Sequence, residues 1–308
     1  MEKEAFEIVF PGKGVKLVRR KCAGKKFTLI ELMVVISIMG VLAGLGLPSL
    51  IKAKEKAKYV RWFAFNNQWN SDPSTIINYN FENTDFKVNY KGAYLPAVYN
   101  STTDSDGNNF MQGDYHGILR SGAEWKKGGR WNMKNSIQFN GRNSYVEIPG
   151  TSSIDFNTAK DDFTIETWVN LDNLNGAAQT FFSKCEWYSI SQYDAYLTGN
   201  RFEVDVGSGT AAWLSPRPEA NKWFNFVLTS EAGKFQLYVN GQAMTGKTTD
   251  GTNPVAVERT SYPFILGAAS ITGNTRNYFF QGKMDELMVI KRALTPSEVK
   301  GIYEMGAP

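Results

Sequence analysis

From Leu32 to Ile51 the chain reads LMVVISIMGVLAGLGLPSLI, twenty residues without a charge. As an α-helix rising about 1.5 Å per residue, such a run covers roughly 30 Å, the thickness of bilayer hydrocarbon. It is expected to cross a membrane as a single helix. Arg19, Arg20, Lys21, Lys25 and Lys26 precede it, which by the positive-inside rule places the N-terminus in the cytoplasm. Lys52, Lys54, Lys56, Lys58 and Arg61 follow and oppose that bias, yet most of the chain lies beyond the segment, and export is its expected fate. A secretory signal peptide would be shorter and would end at a small-residue cleavage site. Here the run continues into the charged helical stretch KAKEKAKYVRW.

Charge is concentrated before the span. Residues 1–26 hold eight Lys/Arg against Glu2, Glu4 and Glu7, while the whole chain carries +4, so the remainder is close to neutral. A polyanion such as nucleic acid is not an expected partner. Cys22 and Cys185 would lie on opposite sides of the membrane and are not expected to pair. Cys185 is expected to be a small buried hydrophobe.

Glu31 stands at the edge of the apolar run. A carboxylate there costs about 2–3 kcal/mol near the bilayer centre and less at the boundary, so such residues are retained for a partner. The segment FTLIELMVVISIMGVLAGLGLPSL, residues 27–50, closely resembles the N-terminus of type IV pilins and type II secretion pseudopilins. With Phe27 as the first mature residue, Glu31 is the fifth, Gly40 the fourteenth and Pro48 the twenty-second, as in that family. The resemblance implies that a prepilin peptidase cuts between Lys26 and Phe27, that the Phe27 amine is then methylated, and that Glu31 pairs with the Phe27 amine of a neighbouring subunit. Lys26 stands where the family usually has Gly. Residues 1–26 are then a leader, and other pilin subunits and the inner membrane are the partners, with the head periplasmic and afterwards on a pilus or the cell surface. Gly40, Gly44, Gly46 and Pro48 weaken the second half of the helix, and Gly40 and Gly44 form a face suited to close helix packing.

Helical periodicity continues to about Asn70, with Trp62, Phe65 and Trp69 on one face expected to pack on the head. Residues 27–70 thus form one helix, 71–74 a linker, and 75–308 a head. Beyond residue 75, short alternating runs are separated by Gly, Asn and Asp. Phe163–Val169 reads as a strand with odd-numbered residues on one face, and Phe235–Val239 as another. Asn240-Gly241, Asn140-Gly141 and Asp250-Gly251 are hairpin signals. Thr295-Pro296-Ser297-Glu298 predicts a capped terminal helix. The fold class expected is α+β: a long N-terminal transmembrane helix followed by an antiparallel β-sandwich of roughly a dozen strands. The runs INYNFEN, SIQFNGRNSYVEIP, DDFTIETWVNL, KFQLYVNGQAM and FQGKMDELMVIKRALTPSEVKGIY, in their order, resemble the laminin-G-like or concanavalin A-like jelly rolls across about residues 76–304.

Glycosidases of the concanavalin type carry an E-x-D-x-x-E strand motif, in which paired carboxylates flank the scissile bond. The nearest match is Glu203-Val-Asp205-Val-Gly207-Ser208, without the last acid. His116 stands alone and is expected at a turn or surface. Trp187, Tyr188, Tyr193 and Tyr196 cluster and are expected to be core or hairpin residues. Catalysis is therefore not expected, and no cofactor is required. The one cation considered is a structural calcium. Asp104, Asp106 and Asp114 supply hard oxygen donors in a loop, and Asp285 matches an acid that the jelly-roll resemblance places near the last strand. The function expected is a pilin-like subunit that displays a non-catalytic, lectin-like head for adhesion to a carbohydrate or surface ligand. The alternatives are a type II secretion pseudopilin and a membrane-tethered carbohydrate-active enzyme.

Overall fold

The computed structural model describes residues 28–102, 115–149, 154–186, 190–199, 201–207, 209–215, 217–250, 262–270 and 275–308. The chain divides into two units, Met1–Ile51 and Lys52–Pro308. Helix α1, Leu29–Asn70, contributes to both.

In the first unit α1 is continuous through Pro48, and its apolar side chains are exposed. It is long and apolar enough to cross a membrane. Nothing lies within 4 Å of a Cβ built on Gly40, Gly44 or Gly46.

The second unit begins with the rest of α1, followed by β1 (Thr75–Tyr79), β2 (Lys87–Tyr90), β3 (Ala93–Val98), β4 (Gly117–Arg120), β5 (Glu124–Lys127), β6 (Asn135–Asn140) and β7 (Tyr145–Ile148). Next come β8 (Phe163–Leu171), β9 (Gln179–Glu186), β10 (Ile190–Thr198), β11 (Arg201–Gly207), β12 (Gly209–Ser215), β13 (Trp223–Glu231) and β14 (Lys234–Val239). The chain closes with β15 (Gln242–Ala243), β16 (Thr245–Asp250), β17 (Phe264–Leu266), β18 (Ala269–Ser270), β19 (Arg276–Asn277), β20 (Gln281–Ile290) and α2 (Pro296–Gly306). One sheet has eight strands, ordered β15-β14-β13-β8-β20-β6-β5 with β1 also on β20. Among the described residues a second sheet has ten, ordered β16-β12-β11-β10-β9-β17-β7-β4-β3-β2, and β18 and β19 pair as a separate two-stranded sheet. The strands outnumber the dozen expected because pieces such as β15 and β19, two residues each, are too short to carry an alternation that announces them.

The two inner faces meet in a core rich in phenylalanine, including Phe139, Phe163, Phe181, Phe182, Phe226 and Phe280. Odd-numbered residues of β8 (Phe163, Ile165, Val169 and Leu171) point into it, as their alternation predicts. The even-numbered residues are buried too. A second apolar layer covers the back of the eight-stranded sheet, where Trp69 of α1 and Val299 and Ile302 of α2 pack on Val227, Tyr238, Met288 and Ile290. Trp62, Asn66 and Trp69 are the buried face of α1.

Asn240-Gly241 forms the expected tight turn, both residues having positive φ, between β14 and β15. Asn140-Gly141 does not make a hairpin, since β6 and β7 belong to different sheets. The Asn140 side chain instead accepts from the backbone of Arg142, Asn143 and Ser144, shaping the crossing. Gly251 lies outside the described residues. Helix α2 starts with the predicted capping box: Thr295 accepts from the Glu298 backbone, and the Glu298 carboxylate accepts from Thr295 N at 2.8 Å.

Beneath the helices lies a buried ion cluster. Strand β20 carries a bulge between Asp285 and Leu287, with Glu286 at φ 63°, so two successive acids sit where an even pleat would present one. Arg130 Nε meets Asp285 Oδ2 at 2.8 Å, and its other end holds Glu286 and the Gly306 carbonyl. Lys134 Nζ lies 2.7 Å from Glu286 and 3.3 Å from the centre of the Trp62 ring. Gly306 is required here, because a Cβ would crowd Arg130 and lie 2.7 Å from Trp168. Replacing Arg130 by Met leaves two buried acids short of a counter-charge and is expected to cost about 3–5 kcal/mol. Arg120→Met breaks the partly exposed Arg120–Glu147 pair and is expected to cost under about 1 kcal/mol. Denaturant unfolding followed by tryptophan fluorescence measures both. Equal losses would show that the cluster does not hold the fold.

Candidate functional site

Strands β10, β11 and β12 each turn alternate residues into the core: Tyr193, Ala195 and Leu197; Phe202, Val204 and Val206; Ala211 and Trp213. The residues between them face the other way. This places Asp194 and Tyr196 of β10 beside Glu203 and Asp205 of β11, on the outer face of the ten-stranded sheet. Asp194 pairs directly across the ladder with Asp205, and Tyr196 with Glu203. Like charges directly opposite one another destabilise a sheet, yet Asp194 is only 1% exposed and Glu203 6%.

Tyr196 joins the group. Its hydroxyl lies 2.6 Å from Glu203 Oε2 and 3.1 Å from Asp205 Oδ2. A phenol has one proton to give, so two good bonds require one carboxyl group to be protonated and to donate in return. The electrostatics agree. Burial, reinforced by Asp205, pushes Asp194 well above the usual carboxylate range, and burial likewise raises Asp205. Burial and the bond to Glu203 raise the Tyr196 hydroxyl. The cation in contact is Arg201, which meets Glu203 from a half-exposed position. Asp194 Oδ1 and Asp205 Oδ1 are buried without a hydrogen-bond partner among the described residues. Three carboxyl groups and a phenol gathered on one face, with Asp194 and Asp205 raised in pKa, can serve as a general acid–base pair or accept hydrogen bonds from a hydroxylated ligand. Among the described residues no three His, Cys, Asp or Glu side chains are placed to hold a metal ion.

Glu203 and Asp205 were legible as an E-x-D strand. Asp194 was missed, although an acid between apolar alternates in Tyr193–Leu197 is the signal that finds it. Tyr193 is buried in the core, where its hydroxyl donates to the Ile154 carbonyl at 2.9 Å. Trp187 and Tyr188 lie outside the described residues, as does the side chain of Cys185. His116 is not at the surface. It is 9% exposed, packs on Phe86 and Tyr99, and accepts from the Asn100 backbone at 3.1 Å, and burial lowers its pKa.

The remaining expected site residues are dispersed. Lys26, Phe27, Asp104, Asp106 and Asp114 lie outside the described residues. Asp285 lies between Arg130 and Lys134, at 2.8 and 3.2 Å, with side chains wholly buried. Two cations already face its carboxylate, so its placement does not fit a calcium ligand. Gly40 and Pro48 lie within continuous helix. Glu31 occupies the third position of α1, and its Oε2 accepts from Thr28 N at 2.8 Å and from the Thr28 hydroxyl at 3.0 Å. Thr28 in turn accepts from Glu31 N, making a capping box that the sequence reading did not foresee.

Above the ordinary Asp pKa of 3.8, an unfolded Asp194 loses its proton while the folded site retains it. Folding then binds more protons than unfolding, so this residue's contribution falls as pH rises. Asp194→Asn is therefore expected to raise the melting temperature at pH 7 by several degrees, with the gain shrinking toward pH 4. An identical pH profile for both proteins would mean that the folded state does not raise the Asp194 pKa.

Residues 140–300 match the laminin G family described as the concanavalin A-like lectin/glucanases superfamily. No curated protein matches the chain. Among solved structures it is similar to the Trypanosoma rangeli sialidase in complex with 2,3-difluorosialic acid, at 14% identity and TM-score 0.52, covering 80% of this chain and 38% of that one. It is also similar to the binding domain of Paraclostridial Mosquitocidal Protein 1, at 19% identity and TM-score 0.50, covering 75% and 52%. The binding domain of botulinum neurotoxin serotype D/C matches at 12% identity and TM-score 0.50, covering 76% and 52%. The chain thus spans about half or less of the structures it matches, and at these identities the likeness establishes the fold. Since the matched segment is more than half of the 308 residues, the chain belongs to the concanavalin A-like lectin/glucanases superfamily.

Proposed function

We propose that this protein is a pilin-like membrane subunit that assembles through the first half of α1 and displays a lectin-like binding head. One observation carries the reading: twenty uncharged residues, exposed throughout, begin immediately after a lone carboxylate, Glu31. Exposed apolar surface of this length is stable in lipid or against copies of itself, not in water. Glu31 would receive the Phe27 amine of a neighbour once a peptidase cuts after Lys26. In hydrocarbon neither charge is tolerated alone, so the pair would set the register of incoming subunits. Gly40 and Gly44 would let neighbouring helices approach closely. The same helix would serve a type II secretion pseudopilus. On this reading the head binds rather than cleaves, because Gly207-Ser208 stand where the E-x-D motif lacks its last acid.

Filaments sheared from cells test the assembly step. The protein is expected in them, beginning at methylated Phe27, and Glu31→Ala is expected to reduce its share at least tenfold while the membrane pool persists. Chains that retain residues 1–26 and never leave the membrane would refute pilus assembly.

Asp194 favours a second reading, a membrane-tethered carbohydrate-active enzyme, because it supplies a third, protonated carboxyl group from the neighbouring strand. If that reading holds, a panel of polysaccharides is cleaved by the wild-type protein and not by Glu203→Gln. Absence of any cleavage leaves the binding reading in place.

A further inference from the structure

A separate concavity lies in the second unit at the end of α1. Phe63, Asn67 and Asn70 from the last turns of the helix form one wall. Asn80 and Asn83, which follow β1, and Ser101, which follows β3, form the others around a cavity of about 600 Å³. None of these residues lies within 140–300, so membership of the superfamily carries no ligand to this place.

The amides are set by a network behind them. Asn78 is fully buried and bonded to Asn66, and its Nδ2 donates to Asn70 Oδ1 at 2.6 Å. Ser101 donates to the same oxygen at 3.0 Å, and Asn70 Nδ2 donates to Asn67 Oδ1 at 3.1 Å. The Asn80 side-chain Oδ1 accepts from the Glu82 backbone at 3.1 Å. The amide nitrogens of Asn67 and Asn80, and the whole amide of Asn83, make no hydrogen bond among the described residues. No Lys, Arg or His is among the described lining, so that lining itself offers no counter-charge to a phosphate, sulfate or carboxylate ligand. The single carboxylate, Glu82, is engaged by Asn135 and lies 3.5 Å from Lys134. Side-chain amides both donate and accept, as vicinal hydroxyls do. Phe63, 39% exposed, and Tyr99 supply apolar surface of the kind that meets the C–H face of a sugar ring. The volume lies within the roughly 300–1,000 Å³ of small-molecule pockets.

From this lining we infer that the cavity takes a neutral saccharide of one or two rings, distinct from anything bound at the Asp194 cluster. The inference rests on reading the head as a binding domain. Calorimetric titration of the full chain, in a detergent without a sugar headgroup, with cellobiose, maltose and lactose, and with N-acetylneuraminic acid as the anionic comparison, tests it. At least one neutral disaccharide is expected to bind, with Asn67→Leu and Asn83→Leu each weakening it tenfold or more at unchanged melting temperature. Binding that survives both substitutions but is lost in Glu203→Gln overturns this site and leaves the lectin-like reading standing. Binding of the anionic sugar alone overturns the neutral class. No sugar binding at all overturns the site and the sugar-binding head together, without touching the assembly reading.

Discussion

Two buried cations, Arg130 and Lys134, hold the second unit in its arrangement. The β20 bulge sets Asp285 and Glu286 side by side beneath the helices. A pair of buried acids is tolerated only where opposite charge reaches it and water is kept out. The chain supplies both together. Arg130 spans both acids and the end of α2, while Lys134 sits against Trp62 of α1. Trp168 stacks on the Arg130 guanidinium at 4.2 Å, and Trp131 donates to the Ala307 carbonyl at 3.1 Å. Three indoles from distant parts of the chain thus seal one charge cluster. The docking of α1, the placement of α2 and the bulge in β20 thus meet at one ion cluster.

That cluster gives a standard for judging the other. Asp285 and Asp194 are equally buried, and burial pushes the pKa of both up. The acids around Asp285 are answered by two cations with wholly buried side chains. Those around Asp194 meet only the half-exposed Arg201 among the described residues, and burial raises the pKa of Asp194 and Asp205 instead. A structural site tends toward full compensation, since every uncompensated buried charge reduces stability. An acid pair opposed directly across a ladder, and left without a buried cation, is retained against that tendency. This asymmetry is what supports the carbohydrate-active reading proposed for the outer face of the ten-stranded sheet.

Much of this was legible in the sequence where local chemistry decides. The apolar run, the α1 stripe of Trp62, Phe65 and Trp69, the Asn240-Gly241 turn and the Thr295 capping box each depend on residues close in sequence. The failures are equally physical. Asn140-Gly141 carries the same signal as Asn240-Gly241, but whether two flanking strands pair is settled by the sheets they join, far from the turn. Asp285 read as a possible ligand because its cations, Arg130 and Lys134, are some 150 residues away. Asp194 was overlooked because a lone acid in a strand has no meaning until the neighbouring strand brings Asp205 opposite it. His116 read as a surface residue because its packing against Phe86 and Tyr99 is not visible in the Gly-rich stretch that surrounds it.

The capping box at Glu31 is compatible with the proposed assembly in a specific way. It gives the carboxylate a local role, since the first amides of any helix need acceptors. Both bonds from Thr28, however, fall on the same oxygen, Oε2. A carboxylate has roughly four lone-pair sites on two oxygens, so the cap leaves Oε1 able to accept from an ammonium group. Positioning by Thr28 would lower the entropic cost of that second bond, because the side chain is already fixed when a neighbour arrives. Capping and subunit pairing are therefore compatible uses of one residue. A helix start with the Thr28 and Glu31 amides satisfied and one carboxylate oxygen open would suit both insertion and assembly.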